Sequence, residues 1–179
     1  MKLTLSGTLT LAAAFVGIAF AARVSTDFDH TVHFDRYKTY SWMKVDAKDS
    51  LWEDRIVRSV DNELTAKGWK KVDSGGDATV AAFGSTHKER TLDTFYSGFG
   101  GGWRWRGFGD GMATTTVEYT QVGTLVVDVF DAQTRKLVWR GSSSATLSGK
   151  AEKNEKKLQK DVGEMFKHFP PEARLQSER

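Results

Sequence analysis

The hydrophobic pattern opens with one apolar run and then breaks into short alternations. Met1-Lys2 is followed by a stretch whose second half, Leu11 to Ala22, carries no charge and ends Ala19-Phe20-Ala21-Ala22-Arg23. A positive start, an apolar run and an A-x-A end describe a secretory signal, with the cut after Ala21. Leu3 to Ala22 is twenty residues, the length of a membrane span, but Thr4, Ser6, Gly7, Thr8 and Thr10 interrupt its first half. The pattern therefore favours cleavage over retention as an anchor. Next come Val24–Asp29 and Thr39–Met43, which alternate apolar with polar residues and read as strands, joined by a turn in HTVHFDRYK.

Ser50-Leu51-Trp52-Glu53 has the form of a capping box. Beyond it Trp52, Ile56, Val60 and Leu64 recur every four residues, predicting a helix over 51–67 that stops at Gly68. Trp69–Asp73 reads as a short strand, Ser74–Asp77 as a turn and Ala78–Lys88 as a strand. Thr114–Phe130 is rich in Thr, Val, Tyr and Phe, with Leu125, Val127 and Val129 on one face; Gly123 predicts a bulge or break within it. Asp131–Lys136 forms a hairpin loop. Leu137–Leu147 returns as a strand with Leu137 and Trp139 pointing inward. A last helix over Lys150–His168 has the apolar stripe Leu158, Val162, Met165, Phe166 and Phe169, and Pro170-Pro171 ends it. The pattern thus predicts an α+β fold: a single antiparallel or mixed β-sheet of five to seven strands, with two amphipathic helices packed on one face. Residues 1–21 are read as a signal peptide, 22–171 as one domain and 172–179 as a flexible tail.

Composition narrows the function classes. The 179 residues include 26 Lys plus Arg against 23 Asp plus Glu, and no cysteine. Removing the first 21 residues leaves 158 with a net charge of +2, too little to argue for nucleic acid. The missing cysteine excludes disulfides, thiolate metal sites, a cysteine nucleophile and a lipidated N-terminal cysteine.

Ser97–Gly111 (SGFGGGWRWRGFGDG) is the unusual segment. Seven of its fifteen residues are glycine, Phe99, Trp103, Trp105 and Phe108 are aromatic, and Arg104 and Arg106 alternate with the tryptophans. Dense glycine disfavours regular structure, while exposed tryptophans mark contacts. Three readings are open. The aromatics fold back onto the sheet; or they form a surface for a partner protein or carbohydrate; or they stack on nucleic acid or enter a membrane surface. The segment lacks the GxxxxGK[ST] pattern, so it is not a phosphate loop.

Chemistry elsewhere is thin. His30 and His33 lie near Asp27, Asp29 and Asp35, a metal-like cluster in what reads as a loop. His87 sits at a strand end, and His168 suits a helix C-terminus. Ser142–Ser144 have no GxSxG elbow. Glu118 and Asp128 read as a polar sheet face rather than an acid pair. Lys153, Lys156, Lys157 and Lys160 interleave with Glu152, Glu155, Asp161 and Glu164, the pattern of a solvated helix face.

Taken in order, VSTDFDHTVHFDRYKTYSW, EDRIVRSVDNELTAKGWKKVDSGGDATVAAFG, the glycine-tryptophan loop, GTLVVDVFDAQTRKLVWRGSSSATL and the helix before FPP resemble a bacterial cell-envelope family, domain of unknown function 4136. The resemblance covers residues 24–171 and implies secretion to the envelope and an α+β fold. Many members look like lipoproteins with a cysteine at the cleavage site; Ala21-Ala22-Arg23 stands there here, so lipid anchoring is not carried over and the expectation is a periplasmic or secreted protein. No catalytic residue transfers. Trp139-Arg140-Gly141 reads as structural, with Trp139 packed inward and Gly141 allowing close approach.

The function expected is non-enzymatic: a binding or structural module whose loop residues Phe99, Trp103, Arg104, Trp105, Arg106 and Phe108 meet an envelope protein or a glycan, with at most peripheral membrane contact and no cofactor. Two alternatives stand beside it, a small-ligand or carbohydrate binding module and a metal-dependent hydrolase using His30 and His33.

Overall fold

A computed structural model of the protein describes residues 23–96 and 113–172. The strands are β1 (Arg23–Phe28), β2 (Thr39–Asp46), β3 (Lys70–Lys71), β4 (Ala78–Tyr96), β5 (Ala113–Asp131) and β6 (Leu137–Thr146); the helices are α1 (Ser50–Ala66) and α2 (Ala151–Phe166). They form one six-stranded sheet in the order β1-β6-β5-β4-β2-β3. The sheet is mixed. β1, β6, β5 and β4 pair antiparallel, and β2 runs parallel to β3 and β4. The parallel pairings follow from α1, which carries the chain back along the sheet after β2.

Both helices cover the same face. On β4 and β5 that face carries Ala78, Val80, Ala82, Leu125, Val127 and Val129, buried with Ile56, Val60 and Leu64 of α1 and Val162, Met165 and Phe166 of α2. The helical stripes read from the sequence are buried except at their N-terminal ends, where Trp52 and Leu158 are half-buried. At the C-terminal ends of the helices the core closes on aromatic rings: Trp139, Phe166 and Phe169 lie with centroids 4.8–5.2 Å apart, and Trp69 joins Phe169 at 5.2 Å. The turn after β1 belongs to this end too, because its short 3-10 segment Phe34–Arg36 inserts Phe34 against Phe169. Gly141 sits beneath Trp139: a Cβ there would stand 2.5 Å from the Trp139 Cη2 atom and 3.2 Å from Met165 Sδ. The WRG segment is structural in the way the sequence suggested.

Several boundaries differ from expectation. The N-cap of α1 is Asp49, whose side chain accepts the Trp52 N–H at 3.1 Å, so Ser50 is the first helical residue rather than the cap. Glu53 reaches back to the Ala47 N–H at 3.4 Å, three residues short of the Ser50 amide that a capping box requires. β5 runs through Gly123 without a break; the glycine is needed for space, since a Cβ would lie 2.9 Å from Leu147. The irregularity falls instead between Val129 and Phe130, opposite β6. It turns Val138 and Trp139 inward together and leaves Leu137 38% exposed, correcting its inward assignment. β3 shrinks to two residues, and β4 outruns its predicted end to pair with β5 as far as Tyr96 and Ala113.

Candidate functional site

The two ends of the helix layer are packed differently. Beneath the C-terminal halves of the helices the sheet presents Val80, Val129 and Trp139. Beneath the N-terminal halves it presents Gly84, Gly123, Ser143 and Ala145. Small side chains at four neighbouring positions leave volume that the helices do not fill. The result is a cleft of about 330 Å³, at the lower end of the range for ligand sites.

One wall is the start of α1, with Trp52 and Ile56. The opposite wall is the first three turns of α2, whose residues Ala151, Asn154, Lys157, Leu158 and Asp161 all line the space. Their spacing places them along one face of α2 over a length of about 15 Å. Leu125 and Leu147 add apolar surface from the sheet side. Around the mouth, Asn154 and Ser148 lock the start of α2 reciprocally. Ser148 N–H donates to Asn154 Oδ1 and Asn154 Nδ2 donates to the Ser148 carbonyl, both at 2.7 Å. Lys157 Nζ donates to the Thr146 carbonyl at 2.7 Å.

Asp161 decides the character of the cleft. Only 5% of it is exposed, yet its side chain takes part in none of the hydrogen bonds or ion pairs among the described residues. A buried carboxyl ordinarily has partners, because its desolvation is costly otherwise. Burial pushes its pKa above the usual carboxylate value, and the nearby charges of Lys157 and Lys160 only partly offset this. No side-chain oxygen in the described structure is both sealed from solvent and unpartnered, so the Asp161 carboxyl retains access through the cleft it lines. Ser143, 6% exposed, lines the same space from β6 and its hydroxyl likewise has no partner among the described residues.

Other polar groups are committed to structure. Asp128 receives Arg140 Nε and Nη2 at 2.6 and 2.7 Å on the opposite sheet face; Glu118 lies ten residues away along the same extended strand, so the two do not form a carboxylate pair. Asp61 accepts from Tyr40 Oη at 2.8 Å and from Trp42 Nε1 and Lys71 Nζ at 2.9 Å, tying α1 to β2 and β3. Asp131 accepts from Tyr37 and Arg36 and caps its hairpin loop through the N–H groups of Gln133 and Thr134; these bonds hold its pKa below the usual value.

The residues singled out from the sequence fare as follows. Phe99, Trp103, Arg104, Trp105, Arg106 and Phe108 lie outside the described residues, as does segment 1–21, expected to be a signal peptide. His30 stacks on Phe28 with ring centroids 4.1 Å apart, and His33 precedes the 3-10 turn. Among the described residues, no group of three or more His, Asp or Glu side chains is placed to hold a metal ion. Asp161 was read as part of a solvated face and is instead buried. Glu155 also leaves that face, reaching α1 at Arg55, 3.1 Å away. A signal for Asp161 was present: it stands three residues after Leu158 and four before Met165, on the apolar stripe itself.

The sequence from 24 to 171 matches the family model described as Domain of unknown function (DUF4136). The chain belongs to this family. No curated protein matches the sequence. Among solved structures, this DUF4136 chain is similar to a PDZ domain protein from Parabacteroides distasonis, with a TM-score of 0.56 and 16% identity over 84% of this chain and 36% of that one. It therefore spans about a third of that protein's length. The PelC dodecamer from Paraburkholderia phytofirmans has a TM-score of 0.49 and 10% identity over 81% of this chain and 95% of that one. Lipoprotein GNA1162 from Neisseria meningitidis has a TM-score of 0.40 and 10% identity over 73% and 99%. At these identities the likeness to the Parabacteroides protein concerns the fold. Among the described residues, no helix is long and apolar enough to cross a membrane.

Proposed function

We propose that this DUF4136 protein is a small-ligand binding module of the bacterial cell envelope, and that its ligand occupies the cleft between the N-terminal halves of the two helices and the sheet. The observation that carries the reading is the buried, unpartnered Asp161 at a cleft that is otherwise mainly apolar. The carboxyl makes no hydrogen bond within the described residues and opens only onto the cleft, so a bound ligand would partner it in place of water. The lining contains no histidine, which favours binding over acid–base turnover. The envelope location draws on the signal-like segment 1–21 and on the envelope character of the family it resembles.

The test is thermal unfolding in the presence of small amphiphiles, for the protein and for Ala145→Phe, which fills the cleft. A ligand at one hundred times its Kd stabilises by about 2.7 kcal/mol, equivalent to a Tm rise of roughly 5–10 °C for a domain of this size. The expected result is a rise in the unsubstituted protein that Ala145→Phe abolishes while keeping its own Tm. A rise that survives the substitution would place the ligand elsewhere.

The aromatic loop supports a second surface. Trp103, Trp105 and the flanking arginines have the composition of an interface hot spot, and an envelope protein or glycan is the partner such a surface suits. Replacing both tryptophans with alanine is expected to weaken envelope association without altering ligand binding in the cleft.

A further inference from the structure

We infer that the ligand of the cleft is a linear alkyl amine, its protonated nitrogen bound between Asp161 and Ser143 and its hydrocarbon chain lying along α2. The inference rests on reading the cleft as a ligand site and names the chemistry that site selects.

Three observations converge. First, the space is elongated: its α2 wall, from Ala151 to Asp161, extends about 15 Å. That shape suits an unbranched chain better than a sugar ring. Second, the walls are largely aliphatic and aromatic, with Trp52, Ile56, Leu125, Leu147 and Leu158 lining the space. Ser85, Thr86, Gln121 and Thr124 also line the space, but Ser85, Thr86 and Gln121 are exposed, so the deeper part of the wall is the apolar one. A hydrocarbon chain matches that part without needing hydrogen-bond partners.

Third, the two buried polar groups without a hydrogen-bond partner among the described residues form a complementary set. An ionised Asp161 offers acceptors only, and the Ser143 hydroxyl adds an acceptor. Both are at least nine-tenths buried. An ammonium group carries three donors and the opposite charge, enough to donate to both residues, and makes the stronger, charge-assisted kind of hydrogen bond with the carboxylate. An alcohol offers one donor and no charge. A carboxylate would meet Asp161 as a like charge. The cations at the cleft, Lys48 and Lys157, are the groups that would favour a carboxylate instead; Lys157 is engaged with the Thr146 carbonyl and Lys48 is exposed.

The experiment is titration calorimetry of the protein with pentylamine, 1-pentanol and pentanoate, which share a chain and differ in the head group. The unsubstituted protein is compared with Asp161→Asn and Ser143→Ala, each checked for cooperative unfolding. The expected result is pentylamine binding at least about tenfold more tightly than pentanol, the margin of one charge-assisted hydrogen bond. Pentanoate is expected to bind more weakly than pentanol. Asp161→Asn should bring pentylamine to the level of pentanol and leave pentanol within about twofold; Ser143→Ala should lower pentylamine by a smaller factor. Equal affinity for all three probes would overturn the amine assignment while leaving the cleft as an apolar site. A preference for pentanoate would overturn it in favour of the lysines. No binding by any of the three would overturn the ligand-site reading and this inference with it.

Discussion

Asp161 shows how one residue can be obvious in composition and hidden in role. It follows Lys160 in a run dominated by lysine and glutamate, and a charge in such a run is normally solvated. What buries it is its place on the apolar stripe between Leu158 and Met165, a place that the surrounding charges mask in the sequence. Its cost to the fold has a definite sign. With its folded pKa raised above 3.8, the unfolded chain ionises first as pH rises, and the folded state is progressively destabilised until Asp161 ionises there as well. Lys157 and Lys160 oppose the shift, and Lys48 shares the cleft; none of them cancels it. Asp161→Asn is therefore expected to raise the Tm at neutral pH, with the difference shrinking to nothing below about pH 4. Melting curves from pH 3 to 8 check this, and a constant difference across the range would refute it. Gly141 is the opposite case, because a position next to a buried tryptophan in WRG announced close packing. Trp139 is held between Phe166 and Phe169 and has nowhere to yield. Gly141→Ala is expected to cost about 1–3 kcal/mol by overpacking, read as a lower denaturant midpoint with an unchanged slope.

At the scale of elements, what was legible is what a short-range period specifies. The stripes of α1 and α2 repeat at helical spacing, and the helices form where the stripes lie. Ends were less legible, since neighbouring polar residues compete for one role. Asp49 and Ser50 are both good caps, and Asp49 wins by accepting the Trp52 amide. Asp49→Ala should thus destabilise by about 1 kcal/mol, while Ser50→Ala, already inside the helix, should change stability by less than half as much. Chemical denaturation of the two variants decides between the caps, and a larger loss in Ser50→Ala would return the cap to the serine. Strands were read where apolar residues alternate and missed where pairing alone sustains them. Residues 89–96 (ERTLDTFY) carry little alternation, yet β4 continues through them because β5 supplies a partner at every step. The irregularity between Val129 and Phe130 has no counterpart in the local sequence, which is why Leu137 was expected inside.

At the scale of the whole molecule the structure divides into parts with separate energetics. β6 accompanies β5 only as far as Val122, and β2 accompanies β4 only to Phe83. Past those points the central hairpin pairs with itself alone, as a two-stranded arm of nine residue pairs from Lys88–Gln121 to Tyr96–Ala113, roughly 30 Å long. An isolated two-stranded ribbon is marginal in water, so the arm adds little to a core that sits under the helices. The cleft draws on β4 no further than Thr86 and on β5 no earlier than Gln121, which makes it independent of nearly all of the arm. A variant lacking residues 90–119, with Glu89 and Thr120 joined through an Asn-Gly turn, should therefore melt within a few degrees of the full protein. It should also bind the cleft ligand with the same affinity. The deletion removes the glycine-aromatic segment at the same time, so it separates the two proposed surfaces in a single molecule. Envelope association lost with cleft binding intact would assign association to the arm and its loop. Loss of ligand binding in a variant that still unfolds cooperatively would mean that the arm helps to build the cleft, and would refute the independence argued from the pairing.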